Sequence, residues 1–232
     1  MDKLWAHLVQ VQAAPEPLII ALSALAALLI VSFRASWHLT RGLITIAHEG
    51  GHALIALLSR RKLEGIRLHS DTSGVTLTRG RPTGPGMVLT ALAGYVAPSL
   101  LGLAAAWLTA GGRIHLLIAT VLLFLVCMLI LIRNMYGALI LLTTGGAIFA
   151  LSMYAPDHVQ RVVALIAVWF LLFGGVRPII ELQRKRRRRQ APDSDADQLA
   201  RLTFLPGGFY VLFFLMVAGA ALVSGAYLML PL

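Results

Sequence analysis

The segment of this chain best equipped for chemistry is His48-Glu49-Gly50-Gly51-His52. Histidines four residues apart project from one face of a helix, so two imidazole nitrogens can take adjacent corners of a tetrahedral zinc ion. Glu49 lies about 100° round the same helix from His48, where a carboxylate can take a proton from a water at the metal. The chemistry so equipped is hydrolysis by a metal-activated water. Gly50 and Gly51 each lower helix propensity by about 1 kcal/mol against Ala, yet they leave the backbone bare where a substrate or neighbouring helix can approach.

The setting gives that motif its weight. The 232-residue chain is 58% hydrophobic and 13% charged, with a mean hydropathy of +0.81, whereas a soluble domain carries roughly 25% charged residues. An ordinary soluble domain is excluded, and the apolar blocks are long enough to cross a bilayer at ~20 residues each. Of the 10 Asp and Glu residues, Glu49 alone falls deep within an apolar block. A carboxylate left there without a partner costs about 3 kcal/mol on insertion scales, which argues for a function; the bland alternative is a polar cluster that glues helices together. The lone Cys127 offers neither a disulfide framework nor a cysteine metal site. The net charge of +10 sits largely beside apolar segments, where it sets orientation, so nucleic acid is not the expected partner.

Seven spans are expected to position the motif: Pro17 to Phe33, Ser36 to Ser59, Met87 to Ala110, Ile114 to Ile132, Tyr136 to Tyr154, Val159 to Ile180 and Phe209 to Leu230. The two most basic connections, Arg60 to Arg81 and Arg184 to Arg189, should both be cytoplasmic, and the four spans between them return the chain to one side. Seven spans put the N-terminus inside and the C-terminus outside, with Arg34 and Arg41 in the first outer turn going against the charge rule. Ile66 to His69 and Val75 to Thr78 alternate apolar and polar residues around Ser70 to Gly74, which reads as a hairpin. Its role is either a surface loop or an edge strand for an extended peptide. The expected fold is therefore an all-α polytopic membrane protein of about seven transmembrane helices, with a small cytoplasmic β-hairpin after the HExxH helix. It forms one membrane-embedded domain over 1–232, in which 184–204 is a basic cytoplasmic linker before the last helix.

Thr45-Ile46-Ala47-His48-Glu49-Gly50-Gly51-His52-Ala53 resembles the zinc helix of the intramembrane zinc metallopeptidases of the site-2 protease type, and Ala91 to Ser99 resembles the small-residue opening of their next core helix. The whole chain looks closest to a compact bacterial branch of small HExxH membrane proteins. That resemblance implies an endopeptidase in a bacterial inner membrane, with Zn2+ as cofactor, His48 and His52 as ligands, and Glu49 as catalytic base. Its partners would be a membrane-protein substrate, the lipid bilayer and a regulatory membrane protein. In one respect the sequence departs from the family: the third zinc ligand usually comes from an Asp-Gly pair, and no Asp-Gly occurs here. Asn134 resembles an Asn that the family uses to hold substrate backbone, although a helix-end cap is an equal reading of it. For the third ligand, Asp195 is favoured because Ser194-Asp195-Ala196 resembles a recurring segment of the small branch and lies on the side where the zinc helix ends. Asp197 and Asn134 compete with it, and the same segment also reads as a helix N-cap. A non-catalytic scaffold or chaperone that keeps the peptidase fold is the alternative function.

Overall fold

The computed structural model describes residues 5, 6 and 8–230, so His7 lies outside the described residues. In chain order the elements are α1 (Pro17–Ser32), α2 (Arg34–Leu58), β1 (Lys62–Leu68), β2 (Gly74–Arg79), α3 (Pro85–Ala110), α4 (Ile114–Leu131), α5 (Met135–Tyr154), α6 (Asp157–Arg187), α7 (Asp195–Leu202) and α8 (Gly207–Met229). Of these, α3, α4, α5, α6 and α8 are each long and apolar enough to cross a membrane. Their outward faces carry Leu, Val and Phe side chains that water would not tolerate in such numbers, such as Leu123, Leu139 and Val223.

The helices at the first two expected spans are not, each by itself, long and apolar enough to cross a membrane. With 16 residues, α1 is about 24 Å long, short of a hydrocarbon core of about 30 Å. It breaks at Phe33, whose backbone is extended (φ −76°, ψ 137°), and α2 leaves at 99° to it. Counted as one broken span, the pair brings the total to six, not seven. A polar cluster holds the break against α6: Arg177 donates to the freed carbonyl of Val31 and lies 4.8 Å over the Trp37 ring. Trp37 Nε1 donates to Glu181 Oε1 at 3.0 Å, and Arg41 pairs with Glu181 at 3.8 Å. Arg41 is thus not stranded in an outer turn; it reaches the end of α6 that carries the basic run.

The segment before α1 is tied to the opposite end of the bundle. Gln12 N donates to Gly112 O at 2.9 Å in the α3–α4 turn, its side chain meets His115 at 3.1 Å, and Arg161 in the first turns of α6 donates to it at 3.2 Å. Counting α1 and α2 as one crossing puts this segment and the C-terminal end of α8 on one face. The hairpin, α7 and the basic run share the other.

Two packing regions position the site. Ile46 and Ala53 of α2 pack with Ile66 and Leu68 of β1 and with Leu125 and Met128 of α4. The hairpin is antiparallel, with Ile66 opposite Thr76 and Leu68 opposite Gly74. On its far side β1 is fixed by a parallel bridge between Ile66 and Ile132, and Arg133 N donates to Ile66 O at 2.8 Å. In the second region α7 docks through Ala196 and Leu199, both 0% exposed, against Ile179, Tyr210 and Phe214. Ser194 caps α7 by accepting from Asp197 N, which satisfies one of the amides a helix start leaves open. Burying those two apolar residues turns Asp195, one position earlier, toward α2.

Candidate metal centre

The four-residue spacing on α2 places His48 and His52 with their Nε2 atoms 3.1 Å apart. Asp195 Oδ2 lies 3.3 Å from each of them. Ligand atoms ~2.0–2.1 Å from a tetrahedral zinc are about 3.3 Å from one another, so this triangle has the edges such an ion requires. Asp195 Oδ2 is buried and, among the described residues, has no hydrogen-bond donor, an orphaned anion that a cation would satisfy. Burial acts to raise the Asp195 pKa, and the facing His52 and His48, when protonated, overcome it and hold the carboxyl below the ordinary carboxylate range.

The rings are oriented from α3. His52 Nδ1 donates to the Thr90 carbonyl at 2.7 Å, which fixes the tautomer and leaves the Nε2 lone pair free for a metal. His48 meets the edge of Tyr95, with ring centroids 4.8 Å apart, and Tyr95 stacks on Phe214 of α8 at 5.1 Å. Two glycines let the helices approach. A Cβ on Gly51 would run into Ala97 and the Ala93 carbonyl. One on Gly94 would lie 2.6 Å from His48 Nε2 and closer still to His52, filling the space in front of both nitrogens. Small residues at a membrane helix interface allow such packing, and here they also leave room for an ion.

Glu49 is 3% exposed and lies under β2. Thr76 Oγ1 donates to Glu49 Oε2 at 2.6 Å, and a Cβ on Gly74 would sit 2.7 Å from Oε1. Among the residues expected to matter, then, His48, His52 and Asp195 come together and Glu49 is their helical neighbour. Asp197 is engaged elsewhere: Arg186 donates to its Oδ1 at 3.0 and 2.7 Å, and the Ser194 hydroxyl to its Oδ2 at 2.5 Å. Asn134 spends both ends of its amide on one residue, donating to Leu68 O at 2.6 Å and accepting from Leu68 N at 3.1 Å. Sequence reasoning gave no role to Thr90, Gly94, Tyr95 or Thr76. Gly94 and Tyr95 lie in the small-residue stretch after the hairpin and Thr90 just before that stretch, while Thr76 entered only as a polar position in the hairpin's alternation.

The family model described as Peptidase M50B-like matches residues 21–225. No curated protein and no solved structure matches the chain. The chain belongs to the M50B-like peptidase family, and together with its long apolar helices this identifies an integral, multi-pass membrane protein of a metallopeptidase family.

Proposed function

We propose that this M50B-like chain is an intramembrane zinc endopeptidase that cuts membrane-protein substrates near the cytoplasmic face of the bilayer. The observation that carries the reading is the triangle of His48, His52 and Asp195, three donor atoms at zinc spacing from two segments far apart in the chain. When bound, zinc would polarise the substrate carbonyl and make water a nucleophile at neutral pH. His48 and His52 present neutral Nε2 donors, and Asp195 brings the negative charge that makes it a better ligand for a divalent ion than an amide. Glu49 accepts the proton of the attacking water and returns it to the leaving amine, the usual work of a carboxylate base.

The basic loops support the sidedness, since Lys and Arg accumulate on the cytoplasmic side. The polar loops beyond the C-terminal end of the zinc helix would supply the route for water. Among the described residues no strand pairs with the outer edge of β2, and an unwound substrate segment could be held there by main-chain bonds. Asn134 would meet such a substrate only by exchanging its bonds to Leu68.

The test combines zinc analysis with cleavage. Purified wild-type protein should hold one zinc and cut an apolar single-span test substrate; Glu49→Gln should keep the zinc and lose the cutting. Asp195→Ala should release zinc under chelator competition, whereas Asp193→Ala should not. Cleavage undiminished in Glu49→Gln would overturn the mechanism, and zinc retained equally by both Asp variants would remove Asp195 from the ligand set.

A further inference from the structure

We infer that Thr76 is a positioning residue for the base: its hydroxyl holds one oxygen of the Glu49 carboxylate, so the β-hairpin completes the active site and is not a surface ornament. The inference rests on the peptidase reading above for what Glu49 does, but the hydrogen bond itself stands on geometry alone.

Alternation along β2 turns Val75 and Leu77 outward, where both are exposed, and turns Gly74, Thr76 and Thr78 toward α2. Thr76 Oγ1 then lies 2.6 Å from Glu49 Oε2 and 3.2 Å from the Glu49 carbonyl. A hydroxyl has one proton, and the shorter distance to the charged partner assigns it to the carboxylate. Gly74 makes this approach feasible: any Cβ there would lie 2.6 Å from Glu49 Cγ, so only a bare backbone can lie flat on this side chain. The strand is held in place from both sides. Thr45 Oγ1, one turn before Glu49, donates to Thr72 O at 2.7 Å in the hairpin turn. Behind β2, the opposing strand is clamped by Ile132 and Asn134.

A Glu side chain has three rotatable bonds and, in a site that must place a proton acceptor within a few tenths of an ångström, a single strong bond to one oxygen selects the rotamer. Donation to Oε2 leaves Oε1 with its lone pairs for the proton it must take. The bond is made by a strand that is not part of the zinc helix, so the base is set only when the hairpin is seated. Metal binding, by contrast, needs α2, α3 and α7 and does not involve Thr76.

Thr76→Val keeps the shape and β-preference of the side chain and removes the hydroxyl; Thr76→Ser restores it. Thr78→Val, on the same face one pleat further and bonded to Arg61 instead, is the control. Two readouts apply to each zinc-loaded protein. In infrared difference spectra, the carboxylate stretch assigned to Glu49 by its loss in Glu49→Gln should shift in Thr76→Val and return in Thr76→Ser. With an apolar single-span test substrate cut by wild type, kcat should fall ~10- to 100-fold in Thr76→Val, as for loss of a charge-assisted hydrogen bond, with KM and zinc content unchanged. Thr76→Ser should recover most of the rate and Thr78→Val should match wild type. An unshifted band, or a Thr76→Val rate equal to that of Thr78→Val, overturns the inference. If wild type cuts nothing, the peptidase reading fails on its own, and the infrared band still decides whether Thr76 holds Glu49.

Discussion

Replacing Gly94 by Ala puts a methyl group where the proposed three-donor site would hold its ion. Its carbon would sit 2.6 Å from His48 Nε2, against about 3.5 Å for an unstrained non-bonded contact, and it would overlap His52 further. Neither ring can yield cheaply. His52 is held through Nδ1 to Thr90 O at 2.7 Å, and His48 is backed by Tyr95. The same methyl favours the helix by roughly 1 kcal/mol, which offsets part of the cost of displacing the rings in the metal-free protein. The two effects separate in one assay. Metal-free protein in detergent is heated with and without zinc at about 100 times the wild-type dissociation constant, which stabilises a binding-competent fold by about 2.7 kcal/mol. Wild type should show that rise, and Gly94→Ala should show none while retaining a cooperative metal-free transition and less than stoichiometric zinc. A variant that binds one zinc and gains the full stabilisation would refute the assignment of the ion to the space between Gly94 and the two imidazoles.

Other consequences concern the mounting of α7 and the course of the chain. Arg186 holds the Asp197 carboxyl below the ordinary carboxylate range; a lowered carboxyl stabilises above its unfolded pKa of about 4 and loses that contribution as pH falls through the folded value. Hydrogen exchange of the Ala196–Leu199 amides should therefore stay slow in wild type at neutral pH and quicken only under more acidic conditions, whereas in Arg186→Gln it should be fast already at pH 7. Leu199→Ala should cost ~2–5 kcal/mol and release zinc more readily by loosening the helix that carries Asp195, as chelator competition would report. Reporters fused after Arg81 and after Arg189 should mark one side of the membrane, and reporters ahead of Gln12 and after Leu232 the other. A reporter ahead of Gln12 on the hairpin side would restore seven crossings.

The motif was legible because its chemistry depends on local spacing: His48, Glu49 and His52 need only a helix to be in place. The hairpin was legible too, since alternation around Ser70 to Gly74 has one simple reading. The break at Phe33 was not, because hydropathy records how long an apolar block is and not where its axis turns. The polar contacts that stabilise the turn join residues more than a hundred positions apart, Trp37 and Arg41 with Glu181. The segment around Asp195 supported both a cap and a ligand: Ser194 makes the cap, and Asp195, the proposed ligand, faces the histidines. Asn134 shows the converse. The family resemblance pointed to a substrate backbone partner, and the backbone it bonds is the protein's own Leu68.

More than half of the chain lies between His52 and Asp195, and that separation bears on how the protein is made. Synthesis runs from the N-terminus, so the two histidines enter the bilayer long before the carboxylate opposite them exists. A nascent chain, or one broken off after α6, has an HExxH helix with an incomplete donor set. The three atoms meet only after α6 has crossed and the following stretch has folded back beneath it. Under the proposed ligand set, order of emergence thus delays assembly of the centre until nearly the whole bundle is in place, and an unfinished copy would lack the activity proposed for the whole.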